Sequence, residues 1–189
     1  MSRKFLTENE IMTLLNSINN SRNILRDQCM ISLGFYHGLR VSELTSLRID
    51  DYDGKSGILN IKRLKNGFST VHPVTDFVMN KLNEWLTERN KYPNNDSRLL
   101  FLTVNGNKMT RQRFYQIIRQ YSKRAEIEIQ AHPHMLRHSC GYSLADRGND
   151  TRLIQDYLGH KNIRHTVLYT ASNAERFRRA WQNKAYAPL

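Results

Sequence analysis

The run His132-Pro-His134-Met-Leu-Arg137-His138 crowds imidazoles, which titrate near neutrality, beside a guanidinium that stays charged. Pro133 suits the first turn of a helix, so His134, Arg137 and His138, at i, i+3 and i+4, share one helix face. Three kinds of chemistry fit such a face. His134 and His138 have the spacing of two zinc ligands, but the Glu of HExxH is missing, no carboxylate is close and Arg137 repels a cation. A solvated basic face is the commoner meaning of a His-rich run. A phosphate pocket is the third reading, and the planar arginine fork favours it.

Other residues join the set only through their order. Leu158-Gly159-His160 is followed by Tyr169, Arg40 comes just after Gly38-Leu39, and Lys65 falls near Asn66-Gly67. Singly, each reads as a packed aromatic, a capping histidine or an exposed charge.

The elements that must position these groups are legible from spacing. Thr7 and Glu10 have the form of a capping box, and Ile11, Leu14, Leu15 and Ile18 recur at helical spacing, which predicts a helix from about Thr7 to Asn20. A second helical pattern covers Arg22 to His37, with Gly38 placed to end it, and a short helix follows from Val41 to Leu47. Gly57 to Arg63 alternates Ile58, Asn60 and Lys62 with Leu59, Ile61 and Arg63. With the turn dipeptide Asn66-Gly67 and the run Ser69 to His72, this predicts a β-hairpin carrying a lysine at its tip. Thr75 to about Lys91 reads as an amphipathic helix, and Arg98 to Val104 as one more short strand. Beyond Met109 the pattern is helical, in segments near 110–124, 133–147, 150–158 and 172–184. The expected class is mainly α with a small antiparallel β-sheet, in one domain spanning residues 1–189.

Charge narrows the partners. With 29 Lys plus Arg against 17 Asp plus Glu in 189 residues, the net charge is +12, which calls for a polyanion, either nucleic acid or an anionic membrane surface. Residues 111–189 carry +8 and residues 1–110 carry +4, so the later part holds more of the anion-binding face. An apolar content of 39% fills one core, which argues against disorder. No apolar run approaches the roughly 20 residues needed to cross a bilayer, and the first residues lack the apolar stretch of a signal peptide. Cys29 and Cys140 lie far apart, outside any CxxC pattern, which disfavours a disulfide framework or a structural zinc. The expected compartment is a reducing cytoplasm.

Taken in order, Gly38-Leu-Arg40-Val-Ser-Glu43-Leu, the Lys65 hairpin, His134-Met-Leu-Arg137-His138, Leu158-Gly-His160 and Tyr169 resemble the catalytic domain of the tyrosine recombinase, or phage integrase, family. The resemblance spans nearly the whole chain. Arg63 to Thr70, His132 to Gly141 and Asp150 to Ala174 are similar in particular to the fimbrial phase-switch recombinases, which invert a promoter-bearing DNA segment. The resemblance implies that fold, and a site-specific enzyme that cuts and rejoins double-stranded DNA at inverted repeats through a 3′-phosphotyrosine.

On that resemblance Tyr169 is the nucleophile, and His134 accepts its proton and contacts the phosphate. Arg40 and Arg137 grip the non-bridging oxygens, Lys65 protonates the leaving 5′ oxygen, and His160 donates a hydrogen bond to the phosphate. Glu43 and His138 orient Arg40 and the active-site helix. The phosphotyrosine keeps roughly the energy of the bond broken, so neither ATP, a metal nor another cofactor is called for. The resemblance also implies a tetrameric synapse on DNA and possible accessory DNA-bending proteins, with no membrane. Larger family members carry an N-terminal DNA-clamp domain, for which the residues before Arg40 leave no room. Residues 171–189, with Phe177, Trp181 and the Arg176, Arg178 and Arg179 cluster, either dock on a neighbouring protomer or close their own core. A type IB topoisomerase, a non-catalytic DNA-binding regulator and a zinc hydrolase are the alternatives, and retention of Arg40, Arg137 and Tyr169 speaks against the regulator.

Overall fold

A computed structural model describes residues 3–19, 22–63, 68–171 and 173–182, the last four of these without their side chains. The helices α1 (Glu8–Asn16), α2 (Ile24–Tyr36) and α3 (Val41–Leu44) open the chain. A 3-10 turn at Ile49–Asp51 leads into strands β1 (Tyr52–Asp53), β2 (Ile58–Ile61) and β3 (Thr70–Pro73). Helices α4 (Asp76–Arg89), α5 (Arg111–Arg124), α6 (Pro133–Asp146), α7 (Thr151–Leu158), α8 (Arg164–Thr170) and α9 (Ala174–Gln182) follow. The class is mainly α with one small antiparallel sheet, in the order β1-β2-β3.

α2 is the central helix. Cys29, Met30, Ile31, Ser32, Leu33 and Gly34 are all buried in sequence, so it is covered on every side, chiefly by α4 and α6. Its one buried carboxylate, Asp27, is compensated: Arg26 Nε donates to it at 2.8 Å and the Tyr121 hydroxyl of α5 at 2.9 Å. Gly34 lets α6 come close, since a Cβ there would lie 2.9 Å from the Leu136 side chain. α6, which carries the histidine run, is thereby pressed onto the middle of the core.

Local signals explain the element boundaries. The Thr7–Glu10 capping box starts α1 with both reciprocal bonds made, although the helix ends at Asn16 rather than near Asn20. Pro133 occupies the first turn of α6, and Thr110 and Asp150 cap α5 and α7 through side-chain oxygens. The hairpin pairs Ile58 with Pro73 and Ile61 with Thr70, which fixes its register and turns Leu59 and Ile61 into the core.

Three features depart from the sequence expectation. Residues 98–104 form no strand; they make isolated bridges, Arg48 with Leu99 and Leu102 with Lys108, and bury Leu100, Phe101 and Leu102. A short apolar run of that kind is compatible with strand or buried loop alike. β1 adds an edge strand beside β2. α8 forms over a stretch read as lying between helices, and it holds Tyr169. The hairpin tip, with Lys65, lies outside the described residues.

Candidate functional site

Four segments meet at one cavity of about 360 Å³, lined by Arg40, His134, Arg137, His138, Gly159, His160, Lys161, Asn162, His165, Leu168 and Tyr169. α6 supplies His134, Arg137 and His138 from one face, as their spacing requires. The turn after α7 supplies Gly159 and His160, α8 supplies Tyr169, and the residue that precedes α3 is Arg40. Of the sequence-derived set only Lys65 is not described.

Arg137 is buried at 4% exposure, and its fork is spent on backbone: one Nη donates to the Gly38 carbonyl at 2.5 Å, the other to the Leu158 carbonyl at 2.7 Å. It thus joins the end of α2 to the end of α7. Gly38 is in the left-handed region (φ +57°), and a Cβ there would strike Leu158 and crowd the Cys140 sulfur. Burial, then the nearby Arg40 and Arg63, pull the Arg137 guanidinium down to about 10, so it remains a cation at neutral pH.

Arg40 is held by Glu43. The backbone N–H of Arg40 donates to Glu43 Oε2 at 2.9 Å and its Nη1 to Oε1 at 2.6 Å. Glu43 is buried, which alone would raise its carboxyl; Arg63 and the contacts from Arg40 outweigh burial and hold it below the usual carboxylate range.

The hydroxyl of Tyr169 lies 3.0 Å from His138 Nδ1, where the sequence reading had put His134 as proton acceptor and His138 as an orienting residue. Tyr169 is buried at 1% exposure, edge-on to Tyr142. Its ring lies flat against Gly141, where a Cβ would fall 2.6 to 2.8 Å from ring atoms. Burial pushes the phenol up to about 12 against the pull of Arg137. His138 is driven down to about 4 by burial, with His134 and Arg137 adding to the effect. A neutral imidazole therefore faces a protonated phenol, and with its proton on Nε2 the ring accepts the phenol hydrogen. His134, exposed one turn earlier, is lowered by burial and by Arg137 and Arg40.

His160 Nδ1 lies 2.9 Å from the Thr166 hydroxyl, a fully buried group on α8. That contact fixes the ring and leaves Nε2 for the cavity. Burial, then Arg137 and Arg40, lower His160 to about 3, so it acts as a neutral donor. Thr166 and Arg63 escaped the sequence reading as site residues. Arg63 had a signal: it continues, two residues past the end of β2, the alternation of Leu59 and Ile61, and both of those are buried. Thr166 lies three residues before Tyr169, hence on the same face of a helix that the sequence did not announce.

The arrangement offers two guanidinium groups, neutral imidazoles and a phenol around one concavity, a set suited to a phosphodiester. Among the described residues no three or more His, Cys, Asp or Glu side chains are grouped to hold a metal ion, and no helix is long and apolar enough to cross a membrane.

Comparison with known proteins places the chain in a family. The profile of the phage integrase family matches residues 4–176. The chain is 51% identical over 179 residues to the type 1 fimbriae regulatory protein FimB of Escherichia coli K12, covering 95% of this chain and 90% of that one. It is 48% identical over 181 residues to FimE of the same strain, covering 95% and 91%. With the tyrosine recombinase XerA of Pyrococcus furiosus it shares 32% over 180 residues, 94% of this chain and 60% of that one. Among solved structures, that of a XerA recombinase superposes with a TM-score of 0.82 at 28% identity, over 94% of this chain and 64% of that one. A pre-cleavage complex of the site-specific recombinase XerH with its difH substrate gives 0.78 at 26%, over 94% and 53%. The chain therefore spans less than two thirds of the XerA and XerH chains.

Proposed function

The chain belongs to the phage integrase family of tyrosine recombinases, and on that premise we propose that it is a site-specific DNA recombinase that inverts a DNA segment controlling fimbrial expression. The observation that carries the chemistry is the convergence of Arg40, Arg137, His134, His160 and Tyr169 on one cavity.

In the proposed reaction the Tyr169 oxygen attacks the scissile phosphorus, a bond to phosphorus forms, and the bond to the 5′ oxygen breaks. His138, already in contact with the hydroxyl, takes the phenol proton, and His134 contacts the phosphate. Arg40 and Arg137 neutralise the non-bridging oxygens as charge builds, and His160 donates to one of them. Lys65 gives its proton to the departing 5′ oxygen. The reverse sequence, with a 5′ hydroxyl as nucleophile, reseals the strand, so no ATP, metal or other cofactor is drawn in.

The fimbrial assignment rests on FimB and FimE, which this chain matches over nine tenths of their length. Double-stranded DNA as partner is supported by the XerH complex, and by α5, where Arg111, Arg113, Arg119, Lys123 and Arg124 are all exposed. Two inverted repeats, each bound by two protomers, give a tetrameric synapse in the cytoplasm, with DNA-bending proteins as accessories. Phe177 on α9, 57% exposed, supports docking of residues 171–189 on a neighbouring protomer; Trp181 and Arg179 belong to that segment, but their side chains lie outside the described residues.

The test is incubation with nicked duplexes bearing candidate inverted repeats, then denaturing gels and peptide mapping. A covalent adduct at Tyr169 is expected. Tyr169→Phe should form none while binding DNA within about threefold of wild type, because the change removes a hydroxyl and no charge. An adduct mapped elsewhere overturns the assignment.

A further inference from the structure

Arg63 is enclosed completely at its side chain, yet it does not line the cavity. Its Nη1 donates to Glu43 Oε2 at 2.9 Å, and its Nη2 donates to the Tyr157 carbonyl at 2.6 Å. Its Nε has no hydrogen-bond partner among the described residues. The stem lies against Gly159, where a Cβ would come within 2.9 Å of Nε and 3.1 Å of Cγ. Gly159 caps α7 at φ +65°, so the turn leading into His160 needs glycine for its backbone and also for the space Arg63 fills.

A buried ion pair with a donor left over is an expensive way to fill space. Desolvating both charges costs as much as their attraction returns, and apolar side chains of similar volume usually serve stability equally well. What an apolar residue cannot do is fix direction. Glu43 has two oxygens: Arg63 and the Arg40 backbone N–H occupy Oε2, which sets the carboxylate plane and leaves Oε1 for the Arg40 side chain. The other end of the same fork holds Tyr157, adjacent to Leu158, whose carbonyl holds Arg137. Along the chain, Lys65 follows two residues later.

We propose that Arg63 is a positioning residue of the recombinase site: by bridging Glu43 and the Tyr157 carbonyl it sets Arg40 and the Gly159–His160 turn in one fixed relation. The proposal rests on the recombinase reading above and adds a residue to it. Arg63 touches no substrate; it acts through Arg40 and His160.

The probe is a nicked duplex recovered from a randomised pool by covalent capture on the wild-type full-length chain. If wild type captures no duplex, or captures it away from Tyr169, the recombinase reading fails and this inference falls with it. If capture succeeds, Arg63→Met and Arg63→Lys are compared with wild type and with Arg40→Ala in single-turnover cleavage. DNA affinity and thermal unfolding are measured on the same proteins. Both Arg63 variants should bind within about threefold and cleave at least about 30-fold more slowly, since lysine keeps the charge but cannot span both acceptors. The same probe with a methylphosphonate at the scissile position lacks the anionic oxygen that Arg40 neutralises. On it the deficits of Arg63→Met, Arg63→Lys and Arg40→Ala should all shrink to about threefold or less. If Arg63→Met does not fold, Arg63→Lys alone decides. Cleavage by Arg63→Lys at wild-type rate, or an equal deficit on both substrates, overturns the proposal.

Discussion

His160 shows how much of this chemistry depends on residues that never meet DNA. Its Nδ1 is matched by the Thr166 hydroxyl, and a catalytic imidazole is only as well aimed as the partner of its second nitrogen. Thr166→Val keeps the shape and removes the partner, leaving a buried nitrogen unpaired. Cleavage should fall roughly 10- to 100-fold with DNA affinity unchanged, and Thr166→Ser should restore most of it. Single-turnover cleavage beside a binding titration checks this. On the proposed roles the two histidines of α6 act on the nucleophile and the phosphate, not on the leaving group. His138→Ala, which removes the neighbour of the Tyr169 hydroxyl, should slow cleavage without weakening binding, and a substrate whose leaving group needs no proton should rescue neither His138→Ala nor His134→Ala.

At the level of elements, tight contacts carry the geometry. Gly141→Ala would drive a methyl into the Tyr169 ring, so adduct formation should be lost even where the protein still folds and binds DNA. Gly159→Ala combines that kind of clash with a left-handed backbone, which alone costs ~1–2 kcal/mol, and should lower both the melting temperature and cleavage. Helix starts were legible in the sequence because their chemistry is local: the Thr7–Glu10 box and the oxygen caps of Thr110 and Asp150 each satisfy backbone donors within one turn, and Pro133 lacks the N–H that the first turn of α6 would leave unpaired. α8 was not legible. Arg164-His-Thr-Val-Leu-Tyr-Thr has modest helix propensity and no side-chain cap, and it is held by packing on α6 and α7 and by the Thr151–Thr170 hydroxyl contact at 2.7 Å. The proposed catalytic set was readable because its order and spacing resemble a family. Arg63 and Thr166 were not, because each acts through a partner distant in sequence or on that unannounced helix.

For the whole molecule, buried imidazoles set the response to pH. His37 Nδ1 lies 3.3 Å from His72 Nδ1, joining the end of α2 to β3, and burial lowers the two rings to about 4 and about 3. His138 and His160 follow, at about 4 and about 3. All four lie below the unfolded value near 6.5, so as pH falls through about 6.5 the unfolded chain binds protons that the folded chain refuses. Stability should therefore be full above about pH 7 and decline steadily toward pH 4, by ~1.4 kcal/mol per pH unit for an enclosed ring such as His37. Melting temperatures at constant salt from pH 8 to about 5 check the sign, and a flat profile contradicts it.

Among the described residues Glu43 is the one carboxylate paired with Arg40 and Arg63, and Arg137 beside them donates to backbone carbonyls and to no carboxylate. The fold thus keeps mutually repelling cations in a cramped space, and a bound oxyanion would relieve that crowding as well as undergo reaction. Binding of this kind stabilises the native fold by mass action. Millimolar vanadate, a mimic of pentavalent phosphorus, should accordingly protect the protein against heat, and Arg40→Ala should forfeit that protection. Self-repulsion within the fold and affinity for its target are then two expressions of the same unbalanced electricity.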